Sequence, residues 1–68
     1  MSWVAIRRFD VGDPDIAKMK KHWEDVAEDL GLFAESNVLL EEGEQEVKLY
    51  VSQAVNEFFQ GQPGRQYG

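Results

Sequence analysis

Sixty-eight residues carrying a formal net charge of −6 leave room for one small domain, since a chain this short buries only about 60% of the surface its unfolded form exposes. Cysteine is absent, which excludes a disulfide framework, a thiolate nucleophile and a cysteine metal site. The opening MSWVAIRRFD lacks the apolar core of a secretory signal, and no apolar run reaches the ~20 residues of a membrane span, so a cytoplasmic location is expected.

The stretch WVAIRRFDV, residues 3–11, is predicted to be a strand, because Trp3, Val4, Ile6, Phe9 and Val11 are of the β-branched and aromatic types that fit a pleated surface. Strict alternation places Val4, Ile6 and Arg8 on one face and Trp3, Ala5, Arg7 and Phe9 on the other. Both faces begin apolar, which predicts cover on both sides. A lone strand is unstable, so a second strand or a symmetry mate is required.

In DVGDPD, residues 10–15, Asp13 suits an N-cap, Pro14 the first helical position and Asp15 the first turn. A helix is expected over 14–30. Its apolar residues Ile16, Met19, Trp23, Val26 and Leu30 recur in steps of three and four and form one stripe. Gly31 is the expected left-handed C-cap, with Leu32 folding back on it.

The segment LFAESNVLLEEGEQE, residues 32–46, has two readings: a short strand through Val38, Leu39 and Leu40, or a single helical turn capped by Ser36 that stops at Gly43. The strand is preferred because the N-terminal strand needs a neighbour.

From Glu44 to Gln60 a second long helix is expected, with Val47, Tyr50, Val51, Ala54, Val55 and Phe58 on one face. In that helix Leu49 points away from the stripe and Phe59 sits at its edge. The competing reading takes Val47, Leu49 and Val51 as the second arm of a hairpin turning at EEGEQE, with a short helix from Ser52. GQPGRQYG, residues 61–68, is predicted to be a flexible tail.

The expectation is one α+β domain over 1–60, built from a strand, a long amphipathic helix, a short strand or turn and a second amphipathic helix. The first helix packs Ile16, Met19, Trp23, Val26 and Leu30 against Val47, Val51, Ala54 and Phe58, and Trp3, Ile6 and Phe9 cover one side. Leu49 and Phe59 are the first candidates for leftover apolar surface, which favours a homodimer or a hetero-complex.

Motifs for chemistry are sparse. His22 with Asp25 and Asp29 supplies few metal ligands and no HExxH pairing. Ser2, Ser36 and Ser52 stand outside any nucleophile motif. EEGEQE has too few glycines to cradle a phosphate, and DVGDPD is turn chemistry rather than a calcium loop. No enzyme activity, cofactor or metal is expected.

Charge is distributed unevenly. Between His22 and Val47 stand Glu24, Asp25, Glu28, Asp29, Glu35, Glu41, Glu42, Glu44 and Glu46, with no Lys or Arg among them. Glu24–Glu28 and Asp25–Asp29 are like-charge pairs four residues apart, each costing a few tenths of a kcal/mol. Carboxylates near a helix C-terminus add about 0.3–1 kcal/mol at low salt. Lys20–Glu24 and Lys21–Asp25 recover part of that. Swapping the two charge blocks would avoid the cost, unless the acidic face must meet a basic partner. Solubility alone also accounts for an acid excess.

In size, charge and lack of catalytic motifs the chain resembles phage-encoded nucleic-acid mimics and anti-CRISPR proteins. That likeness implies an inhibitor or modulator acting in a host cytoplasm on a basic protein surface, one that itself holds nucleic acid. The contact residues expected are Glu24, Asp25, Glu28, Asp29, Glu41, Glu42, Glu44 and Glu46. The order strand, helix, helix, closed by VSQAVNEFF, also resembles the ribbon-helix-helix repressors. That resemblance implies a dimer whose paired strands bring Arg7 and Arg8 to DNA. The chain departs from the family in net charge, in its long interhelical linker and in the large aromatics of its strand. A third expectation is a small accessory subunit of a larger complex, joined through Leu49 and Phe59.

Overall fold

In the structure, a computed structural model, residues 2–60 are described; the tail expected at 61–68 lies outside them. The elements run β1 (Trp3–Asp10), α1 (Asp15–Asp29), α2 (Ala34–Asn37), β2 (Val38–Glu42), β3 (Glu46–Ser52) and α3 (Gln53–Gln60). The fold is therefore α+β, with the strands in one antiparallel sheet of order β1-β3-β2.

The second long helix is not formed. Residues 46–52 are the central strand instead, and only Gln53–Gln60 is helical. The physical reason is the period. Val47, Leu49 and Val51 alternate, and as a strand all three enter the core at 4%, 0% and 0% exposure. A helix would have turned Leu49 away from it. The chain reverses at Gly43, whose N–H donates to the Glu46 carbonyl at 2.9 Å. A Cβ at Gly43 would sit 2.9 Å from that same oxygen, so glycine is required there. The preferred strand at Val38–Leu40 does form, but its partner is β3 rather than β1. The alternative, a helical turn capped by Ser36 and stopping at Gly43, does not form, because those residues are β2; a separate short helix lies before them at Ala34–Asn37, with Ser36 inside it.

β1 carries a bulge. Ala5 stands opposite Tyr50 and Arg7 opposite Leu49, so Ile6 is the extra residue. The extra residue reverses the alternation. Val4 and Ile6 pack on the core before it and Phe9 does so after it. The expectation that both faces are covered is corrected: one face is buried, and Trp3 remains 38% exposed on the open side. β1 finds its partner within the chain, and the element order differs from strand–helix–helix. The architecture that carried the ribbon-helix-helix resemblance is therefore absent.

α1 follows the sequence closely. Asp13 Oδ1 accepts the Asp15 N–H at 2.8 Å, an N-terminal cap of the expected kind. At the other end Gly31 has φ +81°. Leu32 N–H donates to the Ala27 carbonyl at 3.0 Å and Gly31 N–H to that of Glu28 at 2.9 Å. This is the Schellman pattern, and only glycine enters that φ without strain.

α1 and α3 cover one side of the sheet. Phe9, Trp23, Ala27, Val38, Leu49, Val51 and Val55 are the buried cluster, with Ile16, Met19, Val26 and Phe59 packed against it. Trp23 and Phe59 meet edge to face with centroids 5.1 Å apart. Since α3 begins only at Gln53, Val55 and Phe59 face inward, while Ala54 and Phe58, expected in the core, are exposed. The Ser52 hydroxyl accepts the Val55 N–H at 3.3 Å and donates to Asn37 Oδ1 at 2.7 Å. One buried side chain thus caps α3 and ties it to α2.

Leu49 is consequently not leftover surface, and Phe59 is half-buried against the core. Replacing Leu49 by Ala should cost about 2–5 kcal/mol, enough to unfold much of a domain this small. Phe58→Ala should change stability by less than about 1 kcal/mol. Urea melts of the two variants decide it, and equal losses would restore Leu49 to the surface.

Candidate functional site

The acids expected to form one face are divided by the topology. α1 rises ~1.5 Å per residue over fifteen residues, about 22 Å, which is the length of the sheet. It starts where β1 ends and finishes where β2 begins. Glu28 and Asp29 therefore lie at the opposite end of the molecule from Glu42, Glu44 and Glu46.

The hairpin end holds more acid than the stretch between His22 and Val47 supplies. Asp10 stands directly across from Glu46 in the β1–β3 register. Val11 N–H donates to the Gln45 carbonyl at 3.2 Å, and Asp13 N–H to that of Asp10 at 3.1 Å. These bonds bring the β1–α1 turn, with Asp10, Asp13 and Asp15, against the β2–β3 turn, with Glu42, Glu44 and Glu46. Among the described residues the one ion pair at this end is Lys48 to Glu46, at 4.0 Å. Asp10, Asp13 and Asp15 were outside the expected site because only the strand register makes them neighbours of the hairpin.

On α1 the charges are partly matched. Lys20 donates to Glu24 at 2.8 Å and Lys21 to Asp25 at 3.4 Å. Such exposed pairs contribute roughly 0.3–0.5 kcal/mol each. Glu28 and Asp29 have no ion pair among the described residues. Glu41 is committed elsewhere, on the open face of the sheet. It lies opposite Lys48 in register and accepts the Tyr50 hydroxyl at 3.1 Å.

Among the described residues no group of three or more His, Asp or Glu side chains is placed to hold a metal ion. The acidic end is a field, not a chelate. It attracts cationic surfaces over the ~8–10 Å at which salt leaves charges visible to one another. His22 makes an edge-on ring contact with Trp23 at 5.5 Å on the flank of α1, away from the hairpin end.

Two measurements follow. Asp10→Lys turns a cross-strand repulsion into an attraction with Glu46 and should raise stability by about 0.2–1 kcal/mol, read as a higher urea midpoint. The Tyr50 phenol is pushed above its ordinary value of 10.0 by desolvation at the sheet surface, then by the hydrogen bond to Glu41 and the charges of Glu41 and Glu46. A raised value in the folded chain favours the neutral phenol, so its stabilising effect is complete below pH 10 and fades as pH rises through the folded value. Glu41→Gln should move the Tyr50 ultraviolet titration back toward that of free tyrosine.

Compared with protein-family models, with curated proteins and with solved structures, the chain shows no match.

Proposed function

We propose that this protein is a small non-enzymatic binding protein, an inhibitor or modulator, whose acidic end engages a basic surface of a partner protein built to hold nucleic acid. One observation carries the reading: two separate turns place Asp10, Asp13, Asp15, Glu42, Glu44 and Glu46 together at one end. Folding alone does not need this arrangement. Asp13 and Asp15 gain from the N-terminus of α1, but Asp10 facing Glu46 is unfavourable. A cationic partner removes that repulsion and gains from every carboxylate at once. Glu28 and Asp29, with Glu24 and Asp25, form a second acidic patch at the far end, so a partner that touches both must span the length of α1. The setting that fits is cytoplasmic.

The test starts from affinity purification out of the native host, with mass spectrometry of what is retained. Glu42→Lys combined with Glu44→Lys changes exposed side chains at the end of β2 and in the turn after it and should leave the circular dichroism spectrum unchanged. It should weaken the recovered complex at least tenfold or so, and added salt should weaken the wild-type complex in the same direction. Glu24→Lys with Glu28→Lys probes the helix patch in the same assay. If both double reversals bind as tightly as wild type, the acidic reading is wrong.

A second reading has its own observation. Phe33 is 82% exposed and Phe58 56% exposed, more than isolated folding requires of large aromatics in so small a domain. In an accessory subunit these side chains would be the contacts. Phe33→Asp would then abolish association and the charge reversals would be tolerated, the inverse of the pattern above.

A further inference from the structure

The helices leave the other face of the sheet uncovered, and its side chains fall into cross-strand rows. Ala5, Tyr50 and Leu39 occupy one row; Arg8, Lys48 and Glu41 form the next; Asp10 and Glu46 follow. Trp3, 38% exposed, and Leu39, 42% exposed, extend the apolar end. Along the strands the face therefore passes from aromatic and apolar to cationic and then to acidic. A shallow depression of about 480 Å³ lies at the boundary of the first two rows, lined by Ala5, Ile6, Arg7, Arg8, Lys48 and Tyr50.

Of the two cations here Lys48 reaches Glu46 at 4.0 Å, and Arg8 is left unmatched among the described residues. Arg8 stands directly opposite Lys48, a like-charge pair that costs stability when nothing lies between. Neither Arg7 nor Arg8 has a carboxylate within ion-pair distance among the described residues. The Arg7 guanidinium lies 5.0 Å from the centre of the inward-facing Phe9 ring and stands opposite Leu49 in register, so Arg7 belongs to the other face and leaves Arg8 and Lys48 as the cations of this one. Glu41 flanks Lys48 on the β2 side only and is engaged by the Tyr50 hydroxyl. That bond also ties the Tyr50 ring across to β2, while Ala5 on its other side leaves room above.

We infer that this open face is a binding platform for a short single-stranded nucleic-acid segment, with a base stacked on Tyr50 and its phosphate between Arg8 and Lys48. Successive rows on one face are about 7 Å apart, close to the separation of a base from its own phosphate. Base–aromatic stacking beside a cationic track is the general mode by which flat surfaces hold single strands.

A second copy of the chain fits less well. Three strands at about 4.8 Å and up to eight residues at about 3.3 Å give a face of only a few hundred Å², below the ~800 Å² per partner of a specific complex. An acidic peptide would satisfy the cations but not the aromatic row. The acidic row beyond Arg8 and Lys48 repels a strand that continues toward the hairpin, so the platform holds only one or two nucleotides. This inference does not rest on the acidic end having a protein partner.

The experiment is fluorescence polarisation with labelled thymidine oligonucleotides of about five and about fifteen residues, at about 20 mM salt and again at about 200 mM. Wild type should bind both lengths within about threefold of each other, because the site is short. Tyr50→Ala, and separately Arg8→Gln with Lys48→Gln, should each weaken binding about tenfold or more, while Tyr50→Phe retains it. All of these positions are on the sheet surface, and unchanged circular dichroism confirms that folding is not the cause. Amide chemical-shift changes confined to the rows around Ala5, Leu39, Lys48 and Tyr50 would place the strand. No binding at low salt, undiminished binding by the variants, or equal competition by poly-glutamate would each overturn the inference.

Discussion

The structure depends on β3. Its inward residues Val47, Leu49 and Val51 are almost fully excluded from solvent, and its backbone serves both neighbouring strands. Without β3 in the middle, β1 and β2 would be isolated edges, and neither helix would have a floor to pack on. Trp23 and Ala27 of α1 and Val55 of α3 close over that row. A domain of this size has no second core to fall back on, so stability is concentrated in a few side chains.

The same arrangement distributes the charge. Because the chain reverses at both ends of the sheet, residues far apart in sequence become neighbours and neighbours in the acidic stretch are separated. The hairpin end gathers carboxylates from two connections, the far end keeps Glu28 and Asp29, and the open face carries Arg8 of β1 and Lys48 of β3. The net charge of −6 thus describes no single surface of the molecule. The acidic end and the Arg8–Lys48 row adjoin on the open face, because Asp10 and Glu46 are the next row along it.

The bulge at Ile6 has a comparable reach. One extra residue turns Phe9 inward and sets Arg7 beside its ring, while Arg8 comes to face Lys48. A regular strand would have left Phe9 on the open face with Trp3 and Ala5. The bulge therefore completes the core and also creates the cationic row, so one local irregularity serves both packing and surface chemistry.

α1 was legible from its sequence alone, with the Asp13 cap, the apolar stripe and Gly31 all local signals that the structure repeats. The α+β class and the strand at the N-terminus were legible for the same reason, whereas the short strand at Val38–Leu40 was preferred only because β1 needs a neighbour, a place that β3 takes instead. The stretch from Glu44 to Ser52 was not. Its residues satisfy a helical stripe and a period-two alternation almost equally, and only the demand of β1 and β2 for a shared partner selects the strand. The acidic residues could be read one by one, but their grouping could not. Whether Asp10 sits beside Glu46 or Asp29 beside Glu42 depends on register and chain reversal, which are properties of the assembled sheet and not of any segment within it.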